Sequence, residues 1–307
     1  MIGLVAGHSG DSLCDELHKR KYKIAMVCGS ENDPGLKNAD KVIVTDLKNQ
    51  EKILRFFREN KVEEVVIGTG HKLAFELSKV LADVGIRTNI DLDHSILGKD
   101  KAAFKGKLQK LGYITPNFTV LSSMNEVEEC SKNIVFPIVV KAQFDTLQPR
   151  KVFTVNELKE ACMNIFATNT EVMLEQFIDG NDCTVAVSSD GEIVQDYGVT
   201  YYSKAKEYAL QGFEGAHSDK MEPDIENDIC NIARSIVKKL GFRGLVRVDF
   251  IISKNTIYCL ELNTILVTGY HGSAYPFFKK QGINIASEFI DIVLRIISSN
   301  KLGEKEN

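Results

Sequence analysis

Short β-branched runs alternate with amphipathic stretches through the first ninety or so residues, and this constrains the fold more than any other feature of the chain. IGLVAG is followed by the stretch from Ser12 to Arg20. YKIAMVCG and KVIVTD then lead to a helical pattern near Gln50 to Asn60, and EEVVIGTG leads to another near Lys72 to Val84. Such alternation predicts a parallel, doubly wound sheet with helices on both faces. GIRTNIDLDHSILGKDK breaks the pattern, and a new helix from about Lys101 runs toward Pro116. A boundary is therefore expected near Asn89 to Gly98, giving an amino-terminal α/β domain over residues 1–95.

Between Asn117 and Ile178, strands and helices alternate without long linkers: NFTVL, a helix from about Asn125, FPIVVKA, RKVFTV, a helix near Glu157 to Ala167, and EVMLEQFI. This predicts a small α+β unit within residues 96–180. TVAVSSDGEIVQDYGV predicts a hairpin turning at Asp190-Gly191 through a type I′ turn. Next come a polar stretch from Tyr201 to Pro223, a helix from about Asp224 to Leu240, a second hairpin, a glycine-containing loop from Thr268 to Ser273, and a last helix from Ile285 to Ile297. These fill a carboxy-terminal domain over residues 181–307.

Composition narrows the partners. With 307 residues, 44% of them hydrophobic, the chain can build two or three cores. Its net charge of −4, with acids and bases interspersed, provides neither a basic face for nucleic acid nor a polybasic segment for a membrane. Small molecules are the expected ligands. MIGLVAGHSG lacks a basic region before its apolar stretch, and no run is long enough to span a bilayer. Seven scattered cysteines without a CxxC pair suggest neither a disulfide framework nor a zinc knuckle, so the expectation is a cytoplasmic protein with reduced thiols.

The most informative segment is LVRVDFIISKNTIYCLELNT. Alternate residues of a strand share a face, so Arg247 goes with Asp249 and Glu261 with Asn263. With a three-residue turn at Lys254-Asn255-Thr256, Asp249 falls opposite Glu261. Like charges across a ladder repel, and such a pair calls for a positive charge between them. That charge is either a hard cation, Mg²⁺ or Mn²⁺, or Arg247 on a solvated face. Spacing leaves both readings open.

RVDF followed by LELNT, a glycine-containing loop and Ser-Ala-Tyr-Pro resembles the carboxy-terminal signature of ATP-grasp enzymes, in particular the D-alanine–D-alanine ligase and carbamoyl-phosphate-synthetase-like branches. The resemblance implies a lid and a carboxy-terminal domain that clamp ATP. It makes Asp249, Glu261 and Asn263 the ligands of Mg²⁺ (or Mn²⁺), and Arg247 the donor that steadies a tetrahedral intermediate. Lys101 in GKDKAAFKGKL and Lys141 in FPIVVKA match the two ATP-contacting lysines. VMLEQFIDGNDCTV resembles the adenine hinge: Glu175 and Ile178 would offer main-chain groups, flanked by Gln176 and Phe177. Asp182 stands where the family usually has a ribose-binding glutamate. Lys206, or the equally placed Lys204, would reach the γ-phosphate, and Ser273 would hold a substrate carboxylate. The activity implied is ligation of a small-molecule carboxylate to an amine through an acyl phosphate. Relatives are often dimers, so a homodimer is compatible with the resemblance.

The pattern also departs from the family. After the phosphate lysine, QFDTLQPRKVF replaces the usual glycine- and serine-rich loop, and proline has no N–H to offer a phosphate. This motivates a second reading, an ATP-binding module with little or no turnover. Ile265 stands where carboxylating relatives have an arginine, which argues against an ATP-grasp carboxylase. GHSG could hold an anion at a helix amino terminus, and His8 and His71 stand at strand ends, where doubly wound sheets bind ligands; a third reading, a nicotinamide-dependent oxidoreductase built on the first domain, lacks the GxGxxG fingerprint.

Overall fold

The structure is a computed structural model that describes residues 1–144, 147–168, 170–202, 216–217, 223–270 and 275–303. In chain order, β1 (Ile2–Val5), α1 (Gly10–Lys19), β2 (Ile24–Cys28), β3 (Lys41–Val44), α2 (Gln50–Glu59), β4 (Glu64–Ile67), α3 (Lys72–Asp83) and β5 (Arg87–Thr88) form the amino-terminal region. Its strands are all parallel, in the order β3-β2-β1-β4-β5. Side chains alternate between two cores, as a sheet covered on both faces requires. Ile2, Leu4, Ile24 and Met26 join one cluster, while Val5, Ala25, Val27 and Val65 join the other.

The middle of the chain contains α4 (Leu92–Lys99), α5 (Lys101–Lys110), β6 (Phe118–Leu121), α6 (Met124–Ser131), β7 (Ile138–Ala142), β8 (Arg150–Val152), α7 (Val155–Phe166) and β9 (Val172–Gln176). The four strands form an antiparallel sheet in the order β6-β9-β7-β8. Val127, Val140, Val152, Leu158, Cys162 and Leu174 fill the core between this sheet and its helices. The remainder comprises β10 (Asn181–Ser189), β11 (Val194–Tyr202), β12 (Ala216–His217), α8 (Pro223–Lys239), β13 (Gly244–Ser253), β14 (Thr256–Asn263), α9 (Tyr275–Lys280) and α10 (Ile285–Gly303). Its sheet order is β12-β11-β10-β13-β14. The α/β and α+β architecture expected from the sequence is present.

By compactness the chain divides into two units. One contains residues 1–95, 184–247 and 263–307, and the other contains residues 96–183 and 248–262. No described helix is long and apolar enough to cross a membrane.

Several local expectations change. The break at residues 89–98 holds a helix, α4, whose first turn is tied by Asp91 Oδ1 accepting from the His94 N–H. The type I′ signal at Asp190-Gly191 becomes a four-residue connection in which Asp190 Oδ1 accepts from the N–H groups of Glu192 and Ile193. Instead, Lys254 and Asn255 both have positive φ and form a two-residue turn between β13 and β14. RKVFTV is a strand only to Val152, because Thr154 caps α7 and Glu157 reaches back to the Phe153 N–H. The last helix continues past Ile297 to Gly303.

One close approach anchors the turn before α1. Gly35 has φ +85°, and a Cβ there would lie 2.3 Å from the Gly10 carbonyl carbon. Gly35→Ala is expected to lose on the order of 2–4 kcal/mol from left-handed strain and overlap together. The change would be read as a lower urea midpoint at unchanged slope. An unchanged midpoint would mean that the two backbones are not in contact.

Candidate active site

Three charged side chains meet in the interior of the unit formed by residues 96–183 and 248–262. Glu175, 3% exposed, lies on β9, the strand between β6 and β7. Its backbone is registered against Phe118 on one side and Val139 on the other. The carboxylate is met from two directions. Lys141 on β7 donates to Oε1 at 2.5 Å, and the ammonium of Lys105 on α5 lies 2.6 Å from Oε2. Lys105 is 0% exposed and also donates to Thr115 Oγ1 at 2.7 Å. Burial of this kind is costly unless charges are paired and hydrogen-bonded; here Lys141 and Thr115 supply hydrogen bonds, and Lys105 meets Oε2 as an ion pair.

The charges set the protonation preferences. Burial favours a neutral Glu175, but the two ammoniums outweigh it and hold the carboxyl below its ordinary range. Burial likewise opposes charge on Lys141, yet Glu175, Glu261 and Asp182 together raise its value. Lys105 is lowered, because burial and the nearby Lys141 outweigh the attraction of Glu175. Burial pushes the Cys259 thiol far up, with Asp249 and Glu261 adding to the shift and Lys105 opposing it.

The acidic hairpin adjoins this cluster. Asp249, on β13, is 2% exposed. Glu261, on β14, acts on Lys141, and both carboxylates act on Cys259. Asn263 ends β14 and Arg247 lies within β13, both partly buried. Thr256 belongs to β14, so the turn is the two residues Lys254-Asn255 and not the expected three, and Asp249 and Glu261 both act on Cys259. No three His, Cys, Asp or Glu side chains converge among the described residues. Two carboxylates and an amide oxygen suit a hard divalent cation that takes its other ligands from phosphate and water.

The segment after β9 is seated against β13. A Cβ on Gly180 would lie 2.4 Å from the Ile252 carbonyl oxygen, so the turn residues serve close packing as well as chain reversal. In this stretch Gln176 is exposed, Phe177 and Asp182 are partly buried, and Ile178 is buried. Lys151 Nζ sits 3.6 Å from the centre of the Phe177 ring, a cation–π contact. Arg150 pairs with Glu160 at 3.1 Å. Lys101 opens α5, partly buried, and its N–H donates to the Gln143 carbonyl. Gln143 donates from Nε2 to Asp100, while its buried Oε1 has no partner among the described residues. Lys204, Lys206 and Ser273 lie outside the described residues.

Lys105 and Thr115 were missed in the sequence. Lys105 follows Lys101 by one helical turn, a spacing that could have marked it, but LysGlyLys reads as solvated surface.

Residues 108–298 match the family described as D-ala D-ala ligase C-terminus. A D-alanine–D-alanine ligase of Carboxydothermus hydrogenoformans is 26% identical over 315 residues, covering 92% of this chain and 100% of that one. The chain also spans 24% of the carbamoyl phosphate synthase large chain of Clostridium perfringens. Among solved structures, the ADP complex of purK, N5-carboxyaminoimidazole ribonucleotide synthetase, superposes with a TM-score of 0.79 at 15% identity, covering 95% of this chain and 76% of that one. D-alanine–D-alanine ligase from Bacillus anthracis complexed with ATP gives 0.75 at 17% identity, with 100% and 99% coverage. At these identities the superpositions establish the fold.

Because the carboxyl of Glu175 is held low in the folded chain, its stabilisation is present above the ordinary carboxylate range and disappears as pH falls through the folded value. Glu175→Gln is expected to cost about 3–5 kcal/mol at pH 7, since it leaves two buried ammoniums. In urea titrations the gap from the parent should narrow below about pH 4. A variant as stable as the parent at pH 7 would contradict the buried triad.

Proposed function

Since the chain belongs to the ATP-grasp superfamily and matches its D-ala D-ala ligase C-terminus family over residues 108–298, we propose that it is an ATP-dependent ligase joining a small-molecule carboxylate to an amine. The observation that carries this reading is the buried cluster: two lysines on Glu175 beside the acidic residues of β13 and β14. Positive and negative groups set side by side in a low-dielectric interior suit a polyphosphate and its cations.

In this reading each part of the chain has a role. Residues 96–180 supply Lys101 and Lys141 for the phosphates, and the segment Glu175, Gln176, Phe177, Ile178 holds adenine, with Asp182 at the ribose. Residues 181–307 supply Asp249, Glu261 and Asn263 for Mg²⁺ or Mn²⁺, Arg247 for developing oxyanion charge, Lys206 for the γ-phosphate and Ser273 for a substrate carboxylate. Residues 1–95 contribute the α/β domain. The divalent ion, when bound, neutralises phosphate charge during phosphoryl transfer. The chain's own residues position the phosphates, bind the acid and stabilise the charge that forms as an amine attacks the acyl phosphate. Gln143 Oε1, buried and without a hydrogen-bond partner among the described residues, supplies an acceptor within two residues of Lys141.

A reading without turnover rests on TLQPRK. Arg150 and Lys151 are engaged by Glu160 and the Phe177 ring, so the charges available to replace a glycine loop are held by neighbours. One experiment separates the two. The protein with ATP and Mg²⁺ should release phosphate only when an acid and an amine are both present, across a screen of amino-acid pairs. Glu261→Gln should lower that rate by about a hundredfold while leaving the melting temperature near that of the parent. Tight ATP binding with no acid-dependent release would establish the module without turnover. Equal loss of rate and stability in Glu261→Gln would make Glu261 a structural residue.

A further inference from the structure

Lys105 is the most buried charge in the chain's central cluster, and no role is assigned to it. At 0% exposure its ammonium cannot touch a ligand, so it acts through what it holds. It holds Glu175 Oε2 at 2.6 Å and Thr115 Oγ1 at 2.7 Å. Thr115 is itself 8% exposed and precedes Pro116, which restricts its backbone to extended conformations.

We propose that Lys105 is a positioning residue: by anchoring one oxygen of Glu175, it limits that carboxylate to a single contact with Lys141 and keeps Lys141 available to a phosphate. The inference rests on the reading of Lys141 as a phosphate ligand. A lysine ammonium has three donors, and Glu175 Oε1 takes one of Lys141's. Were Lys105 absent, both carboxylate oxygens could turn to Lys141, and a buried one-to-one ion pair would form with no net charge. With Lys105 present, two ammoniums share one carboxylate, leaving one surplus positive charge in the triad. That surplus favours an anion, and in a low-dielectric site its effect is strong. Glu261 and Asp182 also act on Lys141, so the balance at this ammonium is finely set and the loss of one neighbouring cation is felt there.

The test compares two ligands, ADP with Mg²⁺ and adenosine, by calorimetry or competition on the full chain. Because a charge-assisted hydrogen bond to phosphate is at stake, Lys105→Met should weaken ADP binding by about tenfold or more. Adenosine affinity should change far less, so the ADP-to-adenosine ratio falls. Adding Glu175→Gln to Lys105→Met should restore most of that ratio, because a neutral amide does not capture Lys141. Thr115→Val keeps every charge and should shift the ratio in the same direction by a smaller factor, which serves if Lys105→Met folds poorly. A ratio that stays constant across the variants, whether both affinities fall together or neither does, would overturn the positioning role alone. Failure of the unmodified chain to bind ADP would overturn the nucleotide reading, and this inference with it.

Discussion

The central constraint in this chain is the sharing of one buried carboxylate, Glu175, between two ammoniums from different elements. Neither lysine could be buried alone, and Glu175 could not stay ionised at 3% exposure without them. The pairing fixes α5 against the antiparallel sheet, because Lys105 comes from the helix and Lys141 from β7. A hydrogen bond from the Cys259 N–H to the Ile114 carbonyl ties β14 to the segment after α5. In the same hairpin Glu261 acts on Lys141, and Asp249 and Glu261 both act on Cys259.

Sheet and hairpin contribute differently. In the amino-terminal region, strand residues buried on both faces leave little for ligand chemistry, and what is exposed lies at strand ends. Around β7, β9, β13 and β14 the interior itself carries charge. Interiors tolerate this only where geometry and partners are over-determined, and such places are strong functional candidates. The departure at TLQPRK bears on turnover and leaves the buried cluster untouched, because Arg150, exposed, and Lys151, only partly buried, find partners near the surface.

Much of the fold was legible because hydrophobic periodicity is a strong local signal. β1 to β4 and α1 to α3 fall where alternating β-branched runs and amphipathic stretches place them. Turn chemistry was less legible: Asp190-Gly191 has the favoured residues but a longer connection, while Lys254-Asn255 adopts left-handed backbone without a glycine. The tight turn there depends on how β13 and β14 pair, which local composition does not report. α4 was hidden because its weakly amphipathic residues follow a strand that is only two residues long. At the site, Lys141 and Glu175 could be singled out by motif, but Lys105 could not. A lysine among alanines and lysines on a helix reads as solvent-facing, and only tertiary contacts reveal that Glu175 and Thr115 enclose it.

The most direct measurement is a crystal structure with Mn²⁺ and a non-hydrolysable ATP analogue, read by anomalous scattering. The account expects a manganese peak among the oxygens of Asp249, Glu261 and Asn263, with the analogue's phosphates on Lys141 and Lys105 still bound to Glu175. Phosphates resting elsewhere, with those three side chains turned to neighbouring arginine or lysine and no metal among them, would contradict it.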